Sequence, residues 1–150
     1  MNRIRFTKDG LAKLQADYDE LLAQRPGAVE DLKKARELGD LKENGYYHAS
    51  RRKLSFIDSQ IRQFGRQLKL AKVVDDAPKN IVAIGNTVYI TDGEKELTYH
   101  IVGDFEANPS EKKISLFSPL GKALANKMVG DTVTVMLPKG EKVYTITTIK

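Results

Sequence analysis

Cysteine is missing from all 150 residues. That excludes a disulfide framework and a thiolate metal site, and it is compatible with a reducing cytoplasm. No apolar run approaches the ~20 residues of a membrane span, and no basic-then-apolar leader opens the chain. Neither a membrane partner nor an export route is therefore expected. Also lacking are a glycine loop to cradle phosphate, a nucleophile elbow and an HExxH pattern. The two histidines, His48 and His100, fit no metal-ligand spacing, and Pro109 disqualifies Asn108-Pro109-Ser110 as a glycosylation site. No self-contained active site is legible. Arginine, finally, is absent after residue 77, since all eight lie before it.

What the chain does contain is a hydrophobic fraction of 41% with 30% charged residues, a balance that suits a folded soluble protein with a well-solvated surface. Residues 1–77 hold 16 Lys and Arg against 12 Asp and Glu, whereas residues 78–150 hold 9 against 8. The first part is thus the candidate for meeting a polyanion, with an ordinary solvated helix surface as the alternative.

Two long runs in that first part have helical periodicity. Leu11, Leu14, Tyr18, Leu21, Ala28, Leu32 and Ala35 form one series, and Tyr47, Ser50, Leu54, Ile57, Ile61, Phe64, Leu68 and Ala71 the other. Both step by alternating threes and fours, the a/d seam of a heptad repeat. Joined by a short polar turn, two such helices fold back as an antiparallel hairpin. Thr7 is a plausible N-cap, although Gly10 stands where a capping-box acid would be. Pro26-Gly27 predicts a kink or brief break rather than an end, because the heptad phase survives it. Arg25, on the seam, is expected to lay its stem there and send its guanidinium outward. Residues Val73 to Pro78 read as helix end and linker, giving a hairpin over 1–77 and a second domain over 78–150.

From Asn80 the period becomes alternating. Strands are expected at Thr87–Ile90, Leu97–Val102, Lys113–Phe117, Thr132–Leu137 and Lys142–Ile149. A short helix follows Ser118 as N-cap and Pro119 as first residue, reaching about Asn126. The fold class is α+β, with this helix against one face of the sheet.

The hairpin turn, residues 39–45, carries Asp40 and Glu43. Gly39 and Asn44-Gly45 supply its chain-reversal chemistry. Two carboxylates on one tight turn could complete the shell of a hard cation such as Mg²⁺, with the remaining ligands coming from a partner. The alternative is that Asp40 caps the second helix while Glu43 favours its dipole. Arg36 and Arg51 occupy e positions, which antiparallel helices bring to one flank behind the tip, and Arg52, Lys53, Arg62, Arg66 and Lys69 extend the positive charge. Such a shaft could guide a nucleic-acid end. About thirty residues of the first arm reach roughly 45 Å.

Ala35-Arg36-Glu37-Leu38-Gly39-Asp40-Leu41-Lys42-Glu43-Asn44, with Tyr47-His48-Ala49 and Arg51, resembles the tip signature of the Gre transcript-cleavage factors, GreA type. Ile84-Gly85-Asn86-Thr87-Val88, Tyr99-His100-Ile101-Val102-Gly103, Ser118-Pro119-Leu120-Gly121-Lys122-Ala123-Leu124 and Val129-Gly130-Asp131 extend the resemblance over essentially the whole chain. The resemblance implies a coiled-coil hairpin that enters the secondary channel of bacterial RNA polymerase and an FKBP-like domain that docks at its rim. It implies that Asp40 and Glu43 help place Mg²⁺ at the polymerase active centre, and that Arg36, Arg51 and Arg52 hold the extruded 3′ end of nascent RNA. It further implies that the factor needs no cofactor of its own, and that it is not itself an enzyme but stimulates the polymerase's cleavage of backtracked RNA. At Gly45-Tyr46 the chain departs from the usual small residue and acid, which makes the tip less negative and loosens the start of the second helix. Two other readings stay open: a channel binder that does not promote cleavage, and a peptidyl-prolyl isomerase. Against the latter, Tyr89, Tyr99, Phe105, Phe117 and Tyr144 are the only aromatics after residue 77.

Overall fold

The computed structural model describes residues 2–74 and 76–150. It divides into two compact units, Ala12–Leu70 and Met1–Leu11 with Ala71–Lys150. Met1, and Asp75 in the expected linker, lie outside the described residues.

The helical unit is built from α1 (Lys8–Glu37) and α2 (Gly45–Leu70), separated by a single 3-10 turn, Leu41–Glu43. Cross-helix contacts run in antiparallel order. Asn44 Nδ2 donates to the Ala35 carbonyl at 2.9 Å, and Arg25 Nε to Asp58 Oδ1 at 2.6 Å. Further down, the Tyr18 ring lies against Gly65. Leu14, Ala28, Leu32 and Ala35 of α1, with Ser50 and Ile57 of α2, are the buried members of the expected seam. Two expectations change here. Pro26 lies inside a continuous α1, so no break interrupts the helix. The proline is exposed, and the carbonyl it leaves without a partner, on Leu22, belongs to a residue 44% exposed that water can reach. Arg25 does not simply extend into solvent: it ties the arms together through Asp58, and this hydrogen bond is the main cause that lowers the Asp58 carboxyl below its ordinary value.

The mixed unit contains two short strands that periodicity did not reveal. β1 (Ile4–Phe6) and β2 (Ala71–Val73) pair in parallel, with Ile4 against Ala71 and Phe6 against Val73, and the Val74 N–H donates to the Phe6 carbonyl at 2.8 Å. β2 thus takes the place of the helix end expected at Val73. The division falls after Leu70, and the first eleven residues group with the C-terminal part. Arg5 supplies one physical reason. Its guanidinium donates to Asp104 Oδ1 from Nε at 3.0 Å and from Nη2 at 2.8 Å, while its backbone N–H donates to Oδ2 at 2.8 Å.

Glu106 supplies another. Thr7 is the N-cap of α1, its Oγ1 accepting the Gly10 N–H at 3.1 Å. In a capping box, an acid at the third helical position reaches back to the cap N–H. Here Gly10 stands there, and Glu106 does the same work from a distance. It accepts the Thr7 N–H at 2.8 Å and the Gly103 N–H at 2.8 Å, and it also bonds the Thr7 hydroxyl. A Cβ at Gly10 would sit 1.9 Å from Glu106 Oε1, so the glycine makes room for the borrowed acid.

The remaining strands are β3 (Thr87–Thr91), β4 (Glu96–Ile101), β5 (Lys113–Ile114), β6 (Thr132–Leu137) and β7 (Gly140–Ile149), in the order β5-β4-β3-β7-β6. β4 and β5 are parallel and the other pairs antiparallel. β5 is shorter than its expected five residues, because at Ser115 the chain turns into the cap of the next helix. Ser118 Oγ donates to the Ser115 carbonyl at 2.8 Å and accepts the Gly121 N–H at 3.0 Å, which starts α3 (Pro119–Leu124). Leu124 packs with Val88, Ile90, Ile101, Val133, Val135, Tyr144 and Ile146 in the core, the α+β arrangement expected. His100 pairs across strands with Thr87 Oγ1 at 3.0 Å.

The β3–β4 turn makes one acid response predictable. Asp92 Oδ1 accepts the N–H groups of Lys95 at 2.8 Å and Glu94 at 2.9 Å, and Lys142 lies 3.4 Å from Oδ2. These bonds, the Lys95 N–H first, hold the carboxyl down to about 2. A depressed carboxyl contributes stability that is complete above its unfolded value of about 4 and is lost as pH falls through the folded value. Following the Glu94 and Lys95 amide resonances in acid should give a midpoint near 2 that vanishes in Asp92→Asn. A midpoint at the ordinary 3.8 would show that the turn does not hold the carboxylate.

Candidate functional site

The turn between α1 and α2 is made by two successive left-handed residues, Gly39 at φ 76° and Asp40 at φ 49°. Glycine accepts that region freely, and aspartate is among the few others that tolerate it. The sequence suggested Asn44 and Gly45 for this conformation. Asn44 instead is extended, at φ −87°, and Gly45 is already helical. Asn44 works through its side chain. Its Nδ2 donates to the carbonyls of Ala35 at 2.9 Å and Gly39 at 3.3 Å, while its Oδ1 accepts the Tyr47 N–H at 3.0 Å. One amide thus ties a carbonyl in the last turn of α1, and that of Gly39 beyond it, to an N–H in the first turn of α2.

That arrangement answers the capping alternative for Asp40. Asn44 is the cap of α2, and Asp40 makes no side-chain capping bond. Asp40 and Glu43 are both exposed, and among the described residues neither has an ion-pair partner. Nor do the described residues contain a group of three or more His, Asp or Glu that could hold a metal ion. The tip presents two free carboxylates three residues apart and nothing to complete a coordination shell. Tyr46, at the departure from the usual pattern, reaches Asp31 of α1 with its hydroxyl at 3.5 Å. The helix starts at Gly45 all the same.

The basic residues separate by face. Arg36 follows Arg25 by eleven residues and Arg51 precedes Asp58 by seven. At ~100° per residue both spacings return to nearly the same side of their helices. The Arg25–Asp58 pair therefore marks the flank that Arg36 and Arg51 share. Arg62, one turn past Asp58, also acts on that carboxylate. Arg36 lines an open groove with Val29, Leu32, Lys33 and Glu37. Arg52 lies ~100° further round than Arg51, on the outer face of α2, and is exposed. It does not join the flank. In the mixed unit, Phe105 and Phe117 are each 61% exposed while Tyr144 is in the core. Among the described residues, no helix is long and apolar enough to cross a membrane.

Comparison with known proteins places this geometry. Residues 4–73 match the family model for the N-terminal domain of transcription elongation factors, and residues 77–150 match the GreA/GreB C-terminal model. The transcription elongation factor GreA of Thioalkalivibrio sulfidiphilus is 42% identical, covering 100% of this chain and 99% of that protein. That of Nautilia profundicola is 47% identical, covering 97% and 93%. Among solved structures, Gfh1 of Thermus thermophilus is similar over 99% of both chains at 24% identity and a TM-score of 0.48, too loose a likeness to carry an argument. Both halves of the chain match in order, and relatives far above 30% identity span all of it. This chain belongs to the GreA/GreB family of transcription elongation factors.

Proposed function

We propose that the chain enters the secondary channel of bacterial RNA polymerase with its hairpin and stimulates the polymerase's own Mg²⁺-dependent cleavage of backtracked RNA. Residues 78–150 dock on the polymerase, and Arg36 and Arg51 hold the extruded 3′ end, with Arg52 contributing charge from the outer face. The observation that best supports this reading is the tip. Two unpartnered carboxylates lie on a tied turn at the end of a 30-residue helix, ~45 Å long. A pair so placed cannot hold a six-coordinate ion alone, yet it suits an ion whose other ligands belong to a partner. Asp40 and Glu43 would then contribute oxygen ligands to a divalent ion, whose chemistry there would be water activation and charge stabilisation. The chain's own work is to carry these oxygens to the active centre and to keep the RNA end beside them. It is a stimulating factor and not a nuclease.

The test is cleavage of labelled RNA in the presence of Mg²⁺, with and without a backtracked polymerase complex. Shortening of the 3′ end that depends on both factor and polymerase is expected. Polymerase-free cleavage that disappears when Asp40 and Glu43 are replaced would show a self-contained enzyme instead. In the same complexes, reversing charge at Arg36 and Arg51 should weaken crosslinking to the 3′ end, and the wild-type crosslink should fade with salt as counterion release requires. Equal crosslinking by the reversed protein at low salt would reduce both arginines to solvated surface.

A further inference from the structure

The tip acids can only act if the turn that carries them is held, and Asn44 holds only its two ends. The middle of the turn depends on two backbone bonds, one of them long. Glu43 N–H donates to the Asp40 carbonyl at 3.0 Å, and Asn44 N–H to the Leu41 carbonyl at 3.4 Å, the second at the limit of useful geometry. A side chain from α2 adds what these lack. His48 Nε2 lies 2.9 Å from the Lys42 carbonyl oxygen. A carbonyl only accepts, so Nε2 carries the proton and donates. That carbonyl belongs to the Lys42–Glu43 peptide, which is planar. Fixing its oxygen fixes the orientation of the peptide from which Glu43 projects. His48 is half-buried, and its ring packs at 5.4 Å between centroids from that of Tyr47, a seam residue. Its own helix is capped there by Asn44, with His48 N–H bonded to the Asn44 carbonyl at 3.1 Å. The imidazole is therefore a stiff strut from α2 to the centre of the turn.

We infer that His48 is a positioning residue for transcript cleavage, holding Glu43 in the direction the reaction needs without touching RNA or metal itself. This rests on the proposed cleavage function. Groups hydrogen-bonded directly to metal-binding side chains are typically worth about 10- to 100-fold in activity; His48 acts one peptide removed from the Glu43 carboxylate, so a loss of about 10-fold, the lower end, is expected for His48→Ala.

The experiment measures stimulated cleavage by wild type, His48→Ala and His48→Gln against factor concentration, together with melting temperature and hydrogen exchange of the Glu43 amide. A glutamine amide can place an N–H where Nε2 stands. The expected result is a lower maximal rate for His48→Ala, an unchanged half-saturating concentration and melting temperature, faster Glu43 exchange, and recovery of most of the rate in His48→Gln. A His48→Ala protein as active as wild type overturns the role. So does a loss that appears in the half-saturating concentration, or one that His48→Gln does not restore. Wild-type protein that fails to stimulate cleavage at all overturns the proposed function instead, a result plainly different from the first three.

Discussion

Asp40→Asn combined with Glu43→Gln is expected to lower stimulated cleavage by on the order of 100-fold at saturating factor, roughly 3 kcal/mol of lost transition-state stabilisation. Affinity for polymerase should stay close to wild type. The choice of replacements matters. Asp40 has φ 49°, a conformation asparagine adopts about as readily as aspartate, whereas alanine would add backbone strain and confound the reading. Both acids are exposed, and Asp40 makes no capping bond, so their removal leaves no buried group without a partner. Folding should not change. A neutral amide is a poor ligand for Mg²⁺, which prefers charged oxygen. Rate and affinity measured together decide the matter: near-wild-type cleavage by the double variant would remove the tip acids from the chemistry.

A large effect on stability is expected at Gly103. A Cβ there would lie 2.3 Å from the Arg5 carbonyl oxygen, 2.8 Å from the Phe6 Cα and 2.1 Å from Glu106 Oε2. Two of those three are backbone and cannot swing aside. Gly103→Ala must therefore push β1 away or displace the Glu106 carboxylate that caps α1 through Thr7. Overpacking of this kind costs about 3 kcal/mol, which lowers the melting temperature by on the order of 10 °C. Gly27→Ala is the matching control, because nothing lies within 4 Å of the added methyl. It sits in a helix, where alanine is favoured over glycine by ~1 kcal/mol. The control should melt slightly higher than wild type. Equal melting of the Gly103 variant and wild type would mean that β1 does not depend on this close approach.

Why some of this was legible and some not follows from the range of each signal. The two arms were readable because a seam repeated over seven or eight positions outweighs a single proline, and Pro26 indeed does not end α1. Ser118 and Pro119 marked α3 for a local reason, a cap three residues from the N–H it accepts. β1 and β2 were invisible. Three residues show almost no alternation, and Ile4 finds its partner at Ala71. Glu106 is likewise ninety-nine positions from Thr7, so the missing capping-box acid could not be located by looking nearby. At the tip, the exposure of the two acids and the flank shared by Arg36 and Arg51 follow from residue type and heptad position. The division of labour within the turn does not. Asn44 and Asp40 both tolerate positive φ, and only coordinates distinguish the residue that bends from the residue that ties. The strut from His48 to Lys42 left no trace, because a lone histidine at a helix start carries no spacing to recognise.

The parallel pairing of β1 with β2 bears on the order in which the molecule comes into being. β1 is synthesised before both helices of the hairpin, but its partner begins at Ala71. At ~5–20 residues per second, β1 waits roughly 3 to 13 s for β2 to be made. Helices relax within about a microsecond, so each arm can form as it is made. Once α2 has folded back along α1, residues on either side of the hairpin are brought together without the closure entropy of a long flexible loop. The lever is thus also a scaffold for the domain in which it is inserted: a closed hairpin delivers β1 to β2 without a long search.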